Sequence, residues 1–361
     1  MAATAKYIFV IKDADGNLYE FERATNRAWE WYENDSGRCR FFIPENDLKL
    51  STSSVPEDRM SEIRIYRNGS LVWQGILQIA QDVMDGTWVY GETFMAALGW
   101  YGVRYNQVYT AANIGTSVVT GEYDNIETRT GNFLTSRITQ GTIQDPYIVN
   151  TTTALTVTRT LFHENFLDFL KQMVLTARAE ATPTWDQFTV FNISFSETTP
   201  TFSFLRNVGS DQADVVFELG SEIVDFNIPR DFRNIVSYTK GLAITSGPAI
   251  ITSTEEDSSI RGAWNLREFY PFFNNVNAQN DLDNRTNNFL YERKDPKREM
   301  KIRLAAGLAP FDGYSMGDNI KVRINRGRVS IDEYRRVIGM EVQVDDTGVE
   351  QVVPILQKQR S

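Results

Sequence analysis

The chain has one cysteine, Cys39, and one histidine, His163, among its 361 residues. A lone cysteine excludes a disulfide within the chain and fits folding in a reducing cytoplasm. It also leaves too few ligands for an ordinary zinc site, which draws on several Cys or His side chains. Long apolar runs are missing as well. Residues 7–11 are apolar but are cut off by Lys12 and Asp13, so no secretory signal is expected. The longest near-apolar stretch, 94–103, is about half of the ~20 residues that a membrane-spanning helix needs. A soluble protein without a membrane anchor is expected.

Excess positive charge is absent too. The net charge is −10, a poor match to nonspecific DNA binding, which needs clustered cations against phosphate. An acidic chain suits a surface past which DNA slides without sticking. The charge is uneven: residues 291–361 carry 14 Lys and Arg against 11 Asp and Glu, and residues 1–290 carry 23 against 36.

Motifs for catalysis are scarce. No Gly-x-Ser-x-Gly occurs, and Gly99 and Gly102 lack the Gly-Lys-Ser/Thr that completes a phosphate loop. Asp13, Asp15 and Asn17 begin like a calcium loop, but Leu18 stands where the loop needs Gly and Ala24 where it needs Glu. A hairpin turn explains the same residues. His163 precedes an amphipathic segment, where a cap or surface position accounts for it. Cys39 lies between Arg38 and Arg40, which could lower its pKa, although an inert strand thiol is the simpler reading. The densest acids, Asp211, Asp214, Glu218, Glu222 and Asp225, flank a strand and turn and read as solvated. Trp29 and Trp31 share one strand face, suited to stacking on sugars or, more commonly, to a core or subunit contact. No catalytic, cofactor-binding or metal-ligating residue is assigned.

What is present is ordinary globular composition, 42% hydrophobic and 23% charged, with 12% aromatic residues that favour strands and interfaces. The first hundred residues read as hairpins: strands at 6–12 and 18–23 around Asp15-Gly16, and at 29–32 and 38–43 around Asp35-Ser36-Gly37. Pro44 ends this unit, with a short helical turn expected at 45–50. The clearest hairpin, 63–75, turns at Asn68-Gly69, the strongest two-residue hairpin signal. Further strands are expected at 77–84 and 87–92 around Asp85-Gly86. Residues 104–160 are polar and weakly periodic and read as an insertion with a few strands.

Residues 164–180 predict a helix, with Phe166, Leu167, Leu170, Met173, Val174 and Ala177 on one buried stripe. A second helix is expected at 278–291, with Leu282, Phe289 and Leu290 inward and Pro296 barring extension. Strands are expected at 188–195, 202–205, 215–219 and 235–238, and an acidic loop at Glu255, Glu256 and Asp257. Near the C-terminus, Ile320, Val322 and Ile324 alternate with polar residues. Arg326-Gly327 turns the chain, Ile338, Met340, Val342 and Val344 alternate again, and Asp346-Thr347-Gly348 leads into a last strand at 349–356. No repeat of fixed period is seen. The fold expected is mainly β with some α: two small antiparallel β-barrel-like domains, 1–103 and 225–357, flanking an α+β middle region, 104–224.

Four segments in order resemble the tail hub family of long-tailed bacteriophages, also called tail-associated or baseplate hub-like proteins. They are the 63–75 hairpin followed by residues 91–98, and the 166–177 helix with the strands up to Phe204 and then Arg233-Asn234-Ile235-Val236. The third is the 257–268 segment with Arg267-Glu268, read as a loop. The fourth is Gly317-Asp318-Asn319-Ile320, closed by the Asp346-Thr347-Gly348 hairpin. Residues 104–160 depart from the pattern.

The resemblance implies a non-enzymatic homotrimeric ring at the tail tip of the virion, synthesised in the host cytoplasm. Each subunit would carry two similar barrels, adapting a threefold tip to a sixfold tube and closing the tube until genome ejection. Partners would be distal tail or tail-tube proteins, the tape measure protein and receptor-binding or fibre proteins, with DNA only passing through. The candidate assembly interface is the basic strand face of Lys321 and Arg323, extended by Arg326 and Arg328. A carbohydrate-binding or polysaccharide-degrading accessory protein is the alternative.

Overall fold

The computed structural model describes residues 5–47, 61–131, 136–144, 156–180, 189–206, 208–229, 231–244, 250–273, 276, 278–294, 299–306, 308 and 313–358, without the side chains of 162, 178–180 and 264. The expected turn at 45–50 lies partly outside these residues, as do parts of 104–160 and the start of the 188–195 strand; Pro296 lies wholly outside. The described elements are mainly β with some α.

The first module is built of β1 (Tyr7–Lys12), β2 (Leu18–Phe21), β3 (Thr25–Tyr32), β4 (Arg38–Pro44), β5 (Glu62–Arg67), β6 (Ser70–Val83) and β7 (Gly86–Thr93). Alternation makes these strands: Phe9 and Ile11 of β1, Cys39, Phe41 and Ile43 of β4, and Ile63 and Ile65 of β5 are buried in one core. Asn68 and Gly69 both have positive φ, 50° and 84°, as a type I′ hairpin requires. The return strand of the 63–75 hairpin and the strand expected at 77–84 are one strand, β6, continuing through a bulge at Gln78.

The middle region holds α1 (Met95–Leu98), β8 (Tyr105–Asn113), a π-helical turn (Ile114–Val119), α2 (Thr120–Arg129), β9 (Thr139–Ile143), β10 (Thr156–Phe162), α3 (Phe166–Glu180), β11 (Val190–Ile193) and β12 (Thr201–Leu205). Of the predicted stripe of α3, Phe166, Leu170, Met173 and Val174 are in the core together with Phe169, Ala177 is buried, and Leu167 is partly buried against them. Helix α2 corrects the expectation of strands alone in 104–160. It shows no apolar stripe because its buried residues are only Glu122, Tyr123 and Ile126. Burial of Glu122 is offset by the hydrogen bonds it accepts from Arg104 Nε (2.7 Å), the Arg104 backbone N–H (2.9 Å) and the Tyr109 hydroxyl (2.7 Å).

The second module comprises β13 (Asp211–Glu218), β14 (Ile223–Asn227), β18 (Glu299–Leu304), β19 (Asn319–Arg326), β20 (Val329–Val344) and β21 (Glu350–Lys358). Between β14 and β18 the chain makes a satellite of β15 (Tyr238–Ile244), β16 (Ile250–Glu256), α4 (Ser258–Trp264), β17 (Glu268–Phe269) and α5 (Gln279–Arg293). Three expectations change here. The 235–238 strand begins only at Tyr238. Glu255 and Glu256 belong to β16, and Asp257 is the N-cap of α4, accepting from the N–H groups of Ser259 and Ile260. The segment read as a loop is therefore largely helix.

The two modules are joined in one 13-stranded sheet, ordered β14-β18-β21-β20-β3-β4-β7-β6-β5-β1-β2, with β19 on β20 and β13 on β19. The sheet does not close into a barrel among the described residues. The joint is β20. Its residues 329–336 pair with β19, and on the same edge its residues 339–344 pair antiparallel with β3, while β21 holds the other edge.

The modules repeat one strand order. In the first, β5-β6-β7-β4-β3 are consecutive neighbours; in the second, β19-β20-β21-β18-β14 are, with every pairing antiparallel in both. The registers also coincide. Cys39, Gly91 and Leu77 lie opposite one another in the first module, as Met300, Leu356 and Val337 do in the second, and each set is followed by a bulge, at Gln78 and at Ile338.

Two stability predictions follow from this packing. Space around Gly69 is open, so Gly69→Val should lose only the backbone term, about 1–3 kcal/mol for a residue held at unfavourable φ. Denaturant unfolding reads it, and an unchanged midpoint would rule out the I′ constraint. Leu170 is fully buried, and Leu170→Ala should destabilise by about 2–5 kcal/mol in the same assay.

Candidate assembly surfaces

The short turn between β3 and β4 touches all three parts of the molecule. The Glu33 N–H donates to Ile338 O of β20 (2.9 Å), and its carboxylate accepts from Arg336 Nε (3.0 Å). Asn34, at φ 59°, accepts through its side-chain oxygen from the Phe191 N–H of β11 (2.7 Å). Asp35 pairs with Lys171 of α3 (2.9 Å). Next to the turn, Trp31 packs on Phe195 with ring centroids 4.8 Å apart.

Arg336 is the centre of this junction. Its guanidinium also donates to Val208 O (2.8 Å) and Gly317 O (2.6 Å), and the Arg336–Glu33 pair is almost wholly buried. Backbone must come close for this to work. A Cβ on Gly209, at φ 93°, would sit 2.0 Å from Gly317 O. Asp318 adds a further tie, accepting from the Ser210 and Ser315 N–H groups and from Gln212. A second ion pair, with a buried carboxylate and a partly buried guanidinium, spans the modules: Glu350 of β21 accepts from Arg67 Nε (2.6 Å) and Nη2 (2.8 Å), beside the Asn68-Gly69 turn, and also from the Tyr7 hydroxyl. Burial first, and then this carboxylate, push the Tyr7 hydroxyl far above its usual pKa.

The basic strand face is only partly free. Lys321 and Arg323 lie across the hairpin from Asp332, at 2.8 and 3.5 Å, and first Lys321 and then Arg323 hold that carboxyl below its usual range. Arg326 and Arg328, at the turn, are exposed and make no ion pair among the described residues. The geometry thus separates the four predicted cations into two engaged and two presented to solvent.

The other sequence candidates have local uses. Asp13 closes its hairpin by accepting from the Asn17 N–H and side-chain amide, both at 2.7 Å. Burial pushes the Cys39 thiol up despite the flanking arginines. His163 is exposed at φ 49° and stacks on Tyr105 at 5.1 Å. In the acidic group, partial desolvation at Glu222 is outweighed by hydrogen bonds from Ser221 and the Glu218 N–H, which hold it below the carboxylate range, opposite to a general acid. Asp211 accepts from Asn319 and Asp225 lies 3.5 Å from Arg303. Among the described residues no group of three His, Cys, Asp or Glu could hold a metal. Trp29 is buried in the core, so it and Trp31 form no open sugar-stacking platform. The Arg336 junction escaped the sequence reading. Its one signal, an arginine in an otherwise alternating strand, is common on solvated faces.

Removing one partner of a buried, hydrogen-bonded pair leaves a charge stranded. Arg336→Met should therefore cost about 3–5 kcal/mol in denaturant unfolding. Adding Glu33→Gln should recover part of the loss; equal stability of the single variant and wild type would deny the junction its role.

No protein-family model and no curated protein matches the sequence. Solved structures do match. The 43 kDa tail protein of prophage MuSo2 from Shewanella oneidensis aligns with a TM-score of 0.61 at 12% identity, over 97% of this chain and 98% of that one. The tail protein from Neisseria meningitidis MC58 gives 0.60 at 11% identity, over 98% and 97%. Prophage tail protein gp18 from Listeria monocytogenes EGD-e gives 0.56 at 10% identity, over 98% and 95%. The alignments run through both modules and the regions between them, and what this chain shares with these phage and prophage tail proteins is their fold.

Proposed function

We propose that the chain is a structural, non-enzymatic hub of a bacteriophage tail tip. Three copies form a ring that closes the distal end of the tail tube, adapts a sixfold tube to a threefold tip and supports host-recognition proteins. The observation that carries this reading is the repeated five-strand order with coinciding registers and bulges. Two like modules in each of three chains offer six similar positions to a sixfold partner. The fold shared with phage and prophage tail proteins supports the virion tail as its place.

On this reading the domains divide at 1–103, 104–224 and 225–357, with β13 and the first residues of β14 lent to the second module by the middle segment. The partners are tail-tube or distal tail proteins, the tape measure protein and receptor-binding or fibre proteins. DNA passes without being held. The solvent face of the joined sheet suits that passage, because Arg303 pairs with Asp225, Lys301 with Glu341 and Arg38 with Glu92. Cations already matched by carboxylates release few counterions to a phosphate backbone.

Arg326 and Arg328 are the docking cations in this reading, and Lys321 and Arg323 set the hairpin that carries them. Arg326→Glu with Arg328→Glu should leave the melting temperature nearly unchanged, since exposed charges contribute little to folding. Trimer formation or incorporation into tails should fall, most at low salt where repulsion is least screened. Sedimentation and tail-assembly assays decide it: assembly equal to wild type at every salt concentration removes these residues from the interface.

A further inference from the structure

Among the described residues the outer edges of β2 and β13 have no strand partner, and two further edges of the joined sheet stand open. One is the outer edge of β14, which ends the sheet order. The other is β6 beyond Leu77: β5 pairs only with residues 70–76, and β7 holds the opposite edge through Val83. Residues 78–83 of β6 are exposed on both faces, and Ile79 (55%), Val83 (42%) and Met84 (89%) are apolar. Val224 of β14 is 51% exposed. An open strand edge with apolar side chains is a template for another strand.

The repeat says which strand. In the second module, the edge equivalent to this part of β6 is residues 339–344 of β20, and it is covered by β3 of the first module. The equivalent of β3 is β14. The in-chain joint is therefore one of two joints that the duplicated order defines, and the second has both of its edges open. Resting on the ring reading, we infer that β14 of one copy adds antiparallel to the open edge of β6 in the next copy, repeating between chains the joint that β3 and β20 make within one.

The register carries over. Ala28 of β3 lies opposite Arg40 and Gln343; Asn227 of β14 lies opposite Lys301, the equivalent of Arg40. Counting from the shared bulge, Gln343 corresponds to Val83. The interchain joint thus places Val83 of one copy beside Asn227 of the other, both on the solvent face of the sheet, with Met84 beside Phe226. Directly opposed residues of an antiparallel pair have Cα atoms about 4.5–5.5 Å apart, within the Cα span of a disulfide.

Cysteine pairing tests this directly, because the native Cys39 is buried and silent. Full-length Val83→Cys and Asn227→Cys chains are mixed in equal amounts, sized by sedimentation and then oxidised. The expected result is a disulfide-linked dimer in the mixture, absent from either variant alone, with the 83–227 bond found by peptide mass spectrometry. A second variant, Ile79→Lys with Val83→Lys, should keep the wild-type melting temperature while shifting the oligomer to monomer. An oligomer that forms without the 83–227 bond, or that tolerates both lysines, overturns the edge pairing and leaves the ring. A chain that stays monomeric at every concentration overturns both.

Discussion

A β-strand has two edges, and the architecture turns on how β20 spends them. Its sixteen residues give one edge to β21 and divide the other between β19 and β3. Two modules that could each have ended in a free edge become one sheet. The division also fixes register twice over. A slip of one residue would send Met340, Val342 and Val344 to solvent and Glu341 and Gln343 into the core. The bulge at Ile338 falls where the edge changes partner, and Arg336 sits just before it, binding the turn from β3 to β4 and two carbonyls of neighbouring segments.

Local elements were legible because their causes are local. Alternation with a turn pair between the strands defines a hairpin without reference to the rest of the chain, as at Asn68-Gly69 and, one residue later than the expected Arg326-Gly327, at Gly327-Arg328. So does the stripe of α3. The joint between β3 and β20 was not legible: alternation tells which face of a strand is buried, not which strand lies beside it, and these partners are some three hundred positions apart. Helix α2 hid because a buried, paired Glu122 stands where an apolar stripe is expected. The engagement of Lys321 and Arg323 could have been read. A two-residue turn at Gly327 and Arg328 sets Arg323 opposite Asp332, and a carboxylate there neutralises part of the face.

The internal repeat escaped for a related reason. Five residues, 33–37, connect β3 to β4, while the whole satellite from Tyr238 to Arg293 stands between the equivalent β14 and β18. No fixed period survives such an insertion. Nor do residue identities: Cys39, Gly91 and Leu77 answer to Met300, Leu356 and Val337. What is kept is inward and outward alternation and the place of the bulge. Bulges bend and twist a strand, so keeping them in place gives both modules the same change of direction at the same point. The satellite fills the longer connection and leans on the middle region through α5: Asn288 donates to Thr176 of α3 (2.7 Å), and Arg285 reaches Glu164 (3.4 Å).

Charge follows the same economy of pairing. An acidic chain under its own repulsion gains from placing cations where they are most constrained, and three arginines do this: buried Arg336 with Glu33, partly buried Arg67 with Glu350, and buried Arg159 with Glu164. Each joins segments distant in sequence or at the edge of a core. Such pairs add little net stability over apolar packing, because desolvation offsets the attraction. Their effect is on uniqueness, since a misaligned joint strands a charge in the interior. A sheet made from two similar halves has particular use for that discrimination, because β3 and β14 hold equivalent places in the repeated strand order. Glu33, carried on the turn beside β3 and matched to Arg336, ties β3 to β20 within the chain. Among the described residues, the second module reaches β18 from β14 through the satellite rather than through a short turn of that kind.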